Sequence, residues 1–148
     1  MITDKLTIYG DKENKECILS LVEKCSRVIS SECESTQVFT QGCSEELLKV
    51  ADSSCVILEY KDKTSVSENV KCITYSLSDS RADVTALNVQ NREHSVCFEL
   101  LHNVFMSRVF IPKTSGYTPL QVLICSAVLL SAGVSAQQIV ETLNDILK

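Results

Sequence analysis

The sequence predicts an α/β protein: a mostly parallel sheet with flanking helices, extended by a β-hairpin and ended by a C-terminal pair of helices. Three features predict it. Short β-branched runs alternate with helix-period segments in the first half, as parallel strands joined by helical crossovers require. A stretch with two-residue alternation follows, the pattern of an antiparallel hairpin with one wet face. Two apolar segments with marked starts close the chain.

Taken in order, Lys5-Leu6-Thr7-Ile8-Tyr9 is a β-branched and aromatic run stopped by Gly10. Cys17, Ile18, Leu21, Val22 and Cys25 then recur at helical spacing, giving strand, turn and helix. Gln37-Val38-Phe39-Thr40 is a second strand. Ser44 is a cap for a short helix, with Glu45 and Glu46 in its first turn and Leu47, Leu48 and Val50 on its apolar side. The continuous run Cys55-Val56-Ile57-Leu58-Glu59-Tyr60 suits a strand covered on both faces. A polar loop over residues 61–69 leads to the strand Lys71-Cys72-Ile73-Thr74-Tyr75-Ser76.

The period then changes. Val84 and Ala86, and after the turn Asn91-Arg92-Glu93-His94 also Val96, Phe98 and Leu100, alternate with polar neighbours. Arg108-Val109-Phe110-Ile111-Pro112 is a last short strand. Thr118 with Gln121, and Ser135 with Gln138, each have the reciprocal capping spacing, and Pro119 occupies a first helical position where its missing donor does no harm. Gly133 suits a left-handed stop between the helices. Ile139, Leu143, Ile146 and Leu147 form the buried stripe of the last one, and the helical pair is expected to pack internally.

Composition narrows the function. A chain of 148 residues is the size of one domain, taken here as residues 1–148, and buries about two-thirds of its unfolded surface. Two prolines and four glycines leave little room for linkers or low complexity. Nineteen acidic against fourteen basic residues give a net charge of −5, which repels nucleic acid and anionic membrane surfaces, so neither is an expected partner. The longest apolar stretch, residues 122–134, is interrupted by Ser126 and Ser131 and falls short of the roughly 20 residues that cross a bilayer. With no secretory pattern at Met1, a cytoplasmic protein is expected, and its eight cysteines are then free thiols. None lies in a Cys-x-x-Cys pair, so a structural zinc has no local support, and Cys55, Cys72, Cys97 and Cys125 read as small core hydrophobes. His94 and His102 lie in a turn and at a strand end, and neither has a spacing to Cys97 that demands a nucleophilic dyad.

The order of Ile73-Thr74-Tyr75-Ser76-Leu77-Ser78, Ala82-Asp83-Val84-Thr85-Ala86, the hairpin, Ile111-Pro112-Lys113-Thr114-Ser115-Gly116 and a helix closing on Gly133-Val134 resembles the end of the Mur ligase central domain. Those enzymes add amino acids to the peptidoglycan precursor with ATP. The resemblance covers residues 52–148 and lies in the order of several weak motifs. It implies that Thr118 and Gln121 stand where the family's helix carries two asparagines, the later one near the nucleotide. Both positions differ here, and both residues also serve as helix caps.

Phosphoryl transfer needs a loop of backbone amides and a lysine around the phosphates, with a hydroxyl on Mg²⁺. The segment placed to provide them is Gly10-Asp11-Lys12-Glu13-Asn14-Lys15-Glu16, after a strand and opening a helix. It lacks the second glycine, the Gly-Lys-Thr core and the hydroxyl, and it sets Asp11, Glu13 and Glu16 where a triphosphate would sit. Gly10, Lys12, Lys15, Thr118 and Gln121 are therefore the candidate nucleotide-site residues, no catalytic or metal-ligating residue is assigned, and no cofactor is expected. The resulting expectation is a non-catalytic Mur-ligase-like module with an interaction or regulatory role, or a remnant of a precursor ligase, whose partner is another protein chain. Two alternatives stay open. One is part of an ATP- and Mg²⁺-dependent UDP-N-acetylmuramyl peptide ligase completed by another chain. The other is a small-ligand or nucleotide binder using the carboxyl ends of the parallel strands near Gly10, Gly42 and Tyr60.

Overall fold

A computed structural model describes residues 2–29, 34–40 and 55–148. The expected helix from Ser44, Gly42 in the expected crevice, and Cys33 and Cys43 lie outside the described residues. The elements are strand β1 (Leu6–Tyr9), helix α1 (Lys12–Lys24), strands β2 (Thr36–Phe39), β3 (Cys55–Glu59), β4 (Lys71–Ser76), β5 (Val84–Asn91), β6 (Ser95–His102) and β7 (Phe105–Pro112), and helices α2 (Pro119–Ser131) and α3 (Ala136–Leu147). They match the expected α/β class, with boundaries shifted by a residue at several ends.

All seven strands of the described residues form one sheet in chain order. The pairs from β1 to β5 are parallel, and β5, β6 and β7 are antiparallel. Tyr75 pairs with Val84 and Ser76 with Thr85, so β5 starts beside the end of β4 and runs on past it. This offset carries the hairpin beyond the carboxyl edge of the parallel strands. The Ala-Asp-Val motif makes the joint. Asp83 Oδ2 accepts from Thr74 N at 2.8 Å and from Thr74 Oγ1 at 3.1 Å, while Asp83 N donates to Thr74 Oγ1 at 3.0 Å. Ser76 Oγ accepts from the amides of Ser78 and Asp79, and Thr85 Oγ1 donates to Asp79 O.

Three details differ from the expectations. Strand β7 begins at Phe105, three residues before Arg108, where His102 pairs with Phe105 and the ladder with β6 runs without a break to Pro112. The register shifts between Leu87 and Gln90, where Asn88 takes a left-handed φ of 53°, a bulge that the alternation does not encode. The expected loop after β3 opens with a 3-10 turn over Tyr60–Ser65.

One core joins the three described helices to one face of the sheet. Ile8, Val38, Ile57, Tyr75, Ala86, Phe98, Leu100, Val109 and Ile111 from the strands meet Ile18, Leu21 and Val22 of α1, residues 122–125 and 127–129 of α2, and Ile139, Val140 and Leu143 of α3. The neighbouring residues Val56 and Leu58 point to the opposite face, where they pack with Phe39 and Val70. This is why β3 reads as a continuous apolar run. Helix α2 is buried from Gln121 through Leu129 within the chain itself, so the helical pair packs internally as expected. It ends in a left-handed Gly133, φ +86°, with Gly133 N donating to Leu130 O and Val134 N to Leu129 O, the double closure that a C-terminal glycine permits. No described helix is long and apolar enough to cross a membrane.

Candidate functional site

The end of β1 and the start of α1 decide whether an anion can be cradled there. Thr40, immediately after β2, donates to Tyr9 O from its amide at 3.0 Å and from its hydroxyl at 2.9 Å. Gly10 then turns with φ +150° directly against the Thr40 side chain, so closely that a Cβ on Gly10 would lie 1.8 Å from Thr40 Oγ1. Asp11 is the N-cap of α1: its carboxylate accepts from Asn14 N at 3.2 Å and from Asn14 Nδ2 at 2.7 Å. A phosphate loop leaves first-turn amides pointing at the ligand. Here a carboxylate of the same chain takes one of them, Asn14 N.

The field at this helix start is negative. Burial first, and then the carboxylates of Glu13, Glu16 and Asp11, hold the Cys17 thiol above its ordinary value. Lys12 lies 3.8 Å from Glu16 with 87% of its side chain exposed, and Lys15 is exposed on the same first turns. Neither lysine is brought over the Gly10 turn by a hydrogen bond within the described residues.

Thr118 and Gln121 do meet this segment. Thr118 caps α2 in a reciprocal box: its Oγ1 accepts from Gln121 N at 3.2 Å, and its amide donates to Gln121 Oε1 at 3.0 Å. Gln121, only 2% exposed, donates from its Nε2 to Asn14 Oδ1 at 2.8 Å. A single chain of hydrogen bonds thus runs from Asp11 through Asn14 and Gln121 to Thr118, and it joins the amino ends of α1 and α2. Sequence reasoning placed Thr118, Gln121 and Gly10 at one site but missed Asn14 and Thr40, which close it. Asn14, a polar residue beside the turn glycine, was the available signal, whereas contact between Thr40 and Gly10 depends on strand order. Tyr117 adds a second tie, its hydroxyl lying 2.9 Å from Ser20 Oγ and accepting from Lys24 Nζ at 3.0 Å. Replacing Thr118 by alanine removes the acceptor for Gln121 N and is expected to cost about 1 kcal/mol in a urea titration, with serine restoring most of it.

The other residues weighed for chemistry have local partners. Ser135 caps α3 by accepting from Gln138 N, but the return bond of a full box is absent among the described residues. His94 is 89% exposed beside Glu93, and His102 Nδ1 lies 2.7 Å from Asp83 O. Cys97 is buried with its Sγ 3.9 Å from Gln90 Oε1. The six described cysteines are free thiols, with Cys25, Cys55, Cys97 and Cys125 buried as core residues and Cys72 half-buried. At the carboxyl ends of β3 and β4, Arg81 stacks over Tyr60, 5.3 Å from the ring centroid, and its bond to Asp79 holds that carboxyl at about 2.

A seven-stranded, mostly parallel sheet that ends in a hairpin and a capped helical pair defines a Mur-ligase-like α/β domain. Solved structures carry the same fold. Over 97% of this chain, and 46% of theirs, two crystal structures of MurF from Acinetobacter baumannii superpose with TM-scores of 0.60, at 12% and 13% identity. A UDP-N-acetylmuramoyl-L-alanyl-D-glutamate--2,6-diaminopimelate ligase matches 74% of this chain and 28% of its own with a TM-score of 0.54 and 18% identity. The chain thus spans less than half the length of these ligases. No family model matches the sequence, and no curated protein matches it. The resemblance read from the motif order holds at the level of the fold.

Proposed function

We propose that this chain is a Mur-ligase-like module without ligase chemistry, acting as an interaction or regulatory unit toward another protein chain. The observation that carries the reading is the closure of the Gly10 turn. The Thr40 side chain fills the space against the glycine, the Asp11 carboxylate takes the Asn14 amide of the first turn, and Gln121 is committed to Asn14. A triphosphate entering there would have to displace a carboxylate and break a buried amide contact, against the field of Glu13 and Glu16.

Isothermal titration with ATP and Mg²⁺ tests the proposal. The expected result is no Mg²⁺-dependent heat at millimolar nucleotide, and clear Mg²⁺-dependent binding would sink it. A second reading, in which another chain completes an ATP-dependent UDP-N-acetylmuramyl peptide ligase, is favoured by the 46% share of MurF that this chain spans. It predicts Mg²⁺-dependent binding only when a chain carrying the missing phosphate loop is added to the same titration, and none for this chain alone.

A further inference from the structure

The hairpin strands β5, β6 and β7 turn one face to the described helices, and no described helix packs on the other. On that outer face the β6–β7 ladder sets three cross-strand rows: Leu101 beside Met106, Glu99 beside Arg108, and Cys97 beside Phe110. Val109 and Ile111, which alternate with them along β7, point into the core. Met106 is 53% and Phe110 42% exposed, so an apolar residue stands open on each side of the charged row. The ion pair in that row is long. Glu99 Oε2 accepts from Asn88 Nδ2 at 2.7 Å, but Oε1 lies 3.7 Å from Arg108 Nη2, and the Arg108 side chain is 44% exposed. Because β5 starts beside the end of β4 and runs past it, the far rows of this face stand beyond the parallel strands.

We infer that this outer face is a dimer interface, and that its partner is a second copy of this chain packed sheet against sheet. The pattern is complementary to itself. A two-fold axis along the strands, midway between β6 and β7, lays β6 of each copy over β7 of the other. Arg108 of each copy then faces Glu99 of the other, Met106 faces Leu101, and Phe110 faces Cys97. Each guanidinium gains a second carboxylate, and the four charges alternate in sign around the axis. Apolar rows close on either side of them and take Met106 and Phe110 out of water. Sheets stacked in this way keep their strands nearly aligned, as in a sandwich. An unrelated protein would need the same three rows in mirrored order, whereas a second copy has them by symmetry.

Dimerisation through this face does not depend on the closure of the Gly10 turn, so its test and the nucleotide titration fail separately. Light scattering coupled to size exclusion is run on wild type, Glu99→Arg, Arg108→Glu and an equimolar mixture of the two variants. The chain concentration spans a hundredfold range up to near-millimolar, and circular dichroism first shows each variant to be folded. Wild type is expected to pass from the monomer to twice its mass. Each reversal puts like charges face to face and is expected to stay monomeric throughout. The mixture is expected to regain the dimer, because a copy with two arginines then meets a copy with two glutamates. If a reversal does not fold, Phe110→Asp, at the exposed end of the face, takes its place and is expected to be monomeric. A wild type that stays monomeric overturns the proposal, as does a folded variant that dimerises like wild type or a mixture of the two reversals that remains monomeric.

Discussion

Replacing Gly10 with alanine is expected to lower stability by about 3 kcal/mol, seen as a fall in the urea midpoint at unchanged slope. Two costs combine. The backbone sits at φ +150°, where a side chain is strained, and the added Cβ meets Thr40 Oγ1 at 1.8 Å, its Cβ at 3.0 Å and its Cγ2 at 3.2 Å. Rotating Thr40 away gives up the hydroxyl bond to Tyr9 O, and its Cβ still lies 3.0 Å from the added methyl. A Thr40→Gly partner variant removes the clash but leaves the strain, so the double variant should recover only part of the loss. Full tolerance of alanine would mean that the turn is open, and with it the closure on which the non-catalytic reading rests.

The same turn marks how far the site was legible. The glycine, the acidic residues and the two cap residues are local signals, and each could be placed from spacing alone. What closes the turn is not local: Thr40 follows the next strand in the sheet, and Asn14 meets Gln121 across 107 positions of chain. The fold was legible where local chemistry and tertiary packing agree, as at Pro119, the Thr118 cap and the Gly133 stop. It was less legible where strand ends are set by pairing with a neighbour. Phe105-Met106-Ser107 joins β7 where β6 offers a full ladder, and the register shifts at the Asn88 bulge beyond the parallel strands. Coverage of the two sheet faces was also beyond the pattern. The apolar run of β3 predicts burial on both sides but not that all three described helices share a core with one face.

Phe98→Ala is expected to have the largest effect, about 4 kcal/mol, or roughly 10 °C in midpoint for a chain of this size. Phe98 is fully buried in the middle of β6, opposite Val109 of β7, in the core that also holds α2 and α3. Truncation leaves a cavity between the hairpin and the helices, and a rigid sheet cannot collapse to fill it. The shape of the transition carries further information. The parallel strands and the hairpin share one continuous core through Tyr75, Val84 and the buried length of α2, so they are expected to unfold together. Far-ultraviolet circular dichroism and the summed fluorescence of Tyr9, Tyr60, Tyr75 and Tyr117 should therefore give coincident curves for the variant. Separate midpoints would show that the β5–β7 hairpin with its helical pair is an independent unit resting on the parallel strands, and that the offset between β4 and β5, paired only through Tyr75 with Val84 and Ser76 with Thr85, is where the molecule divides.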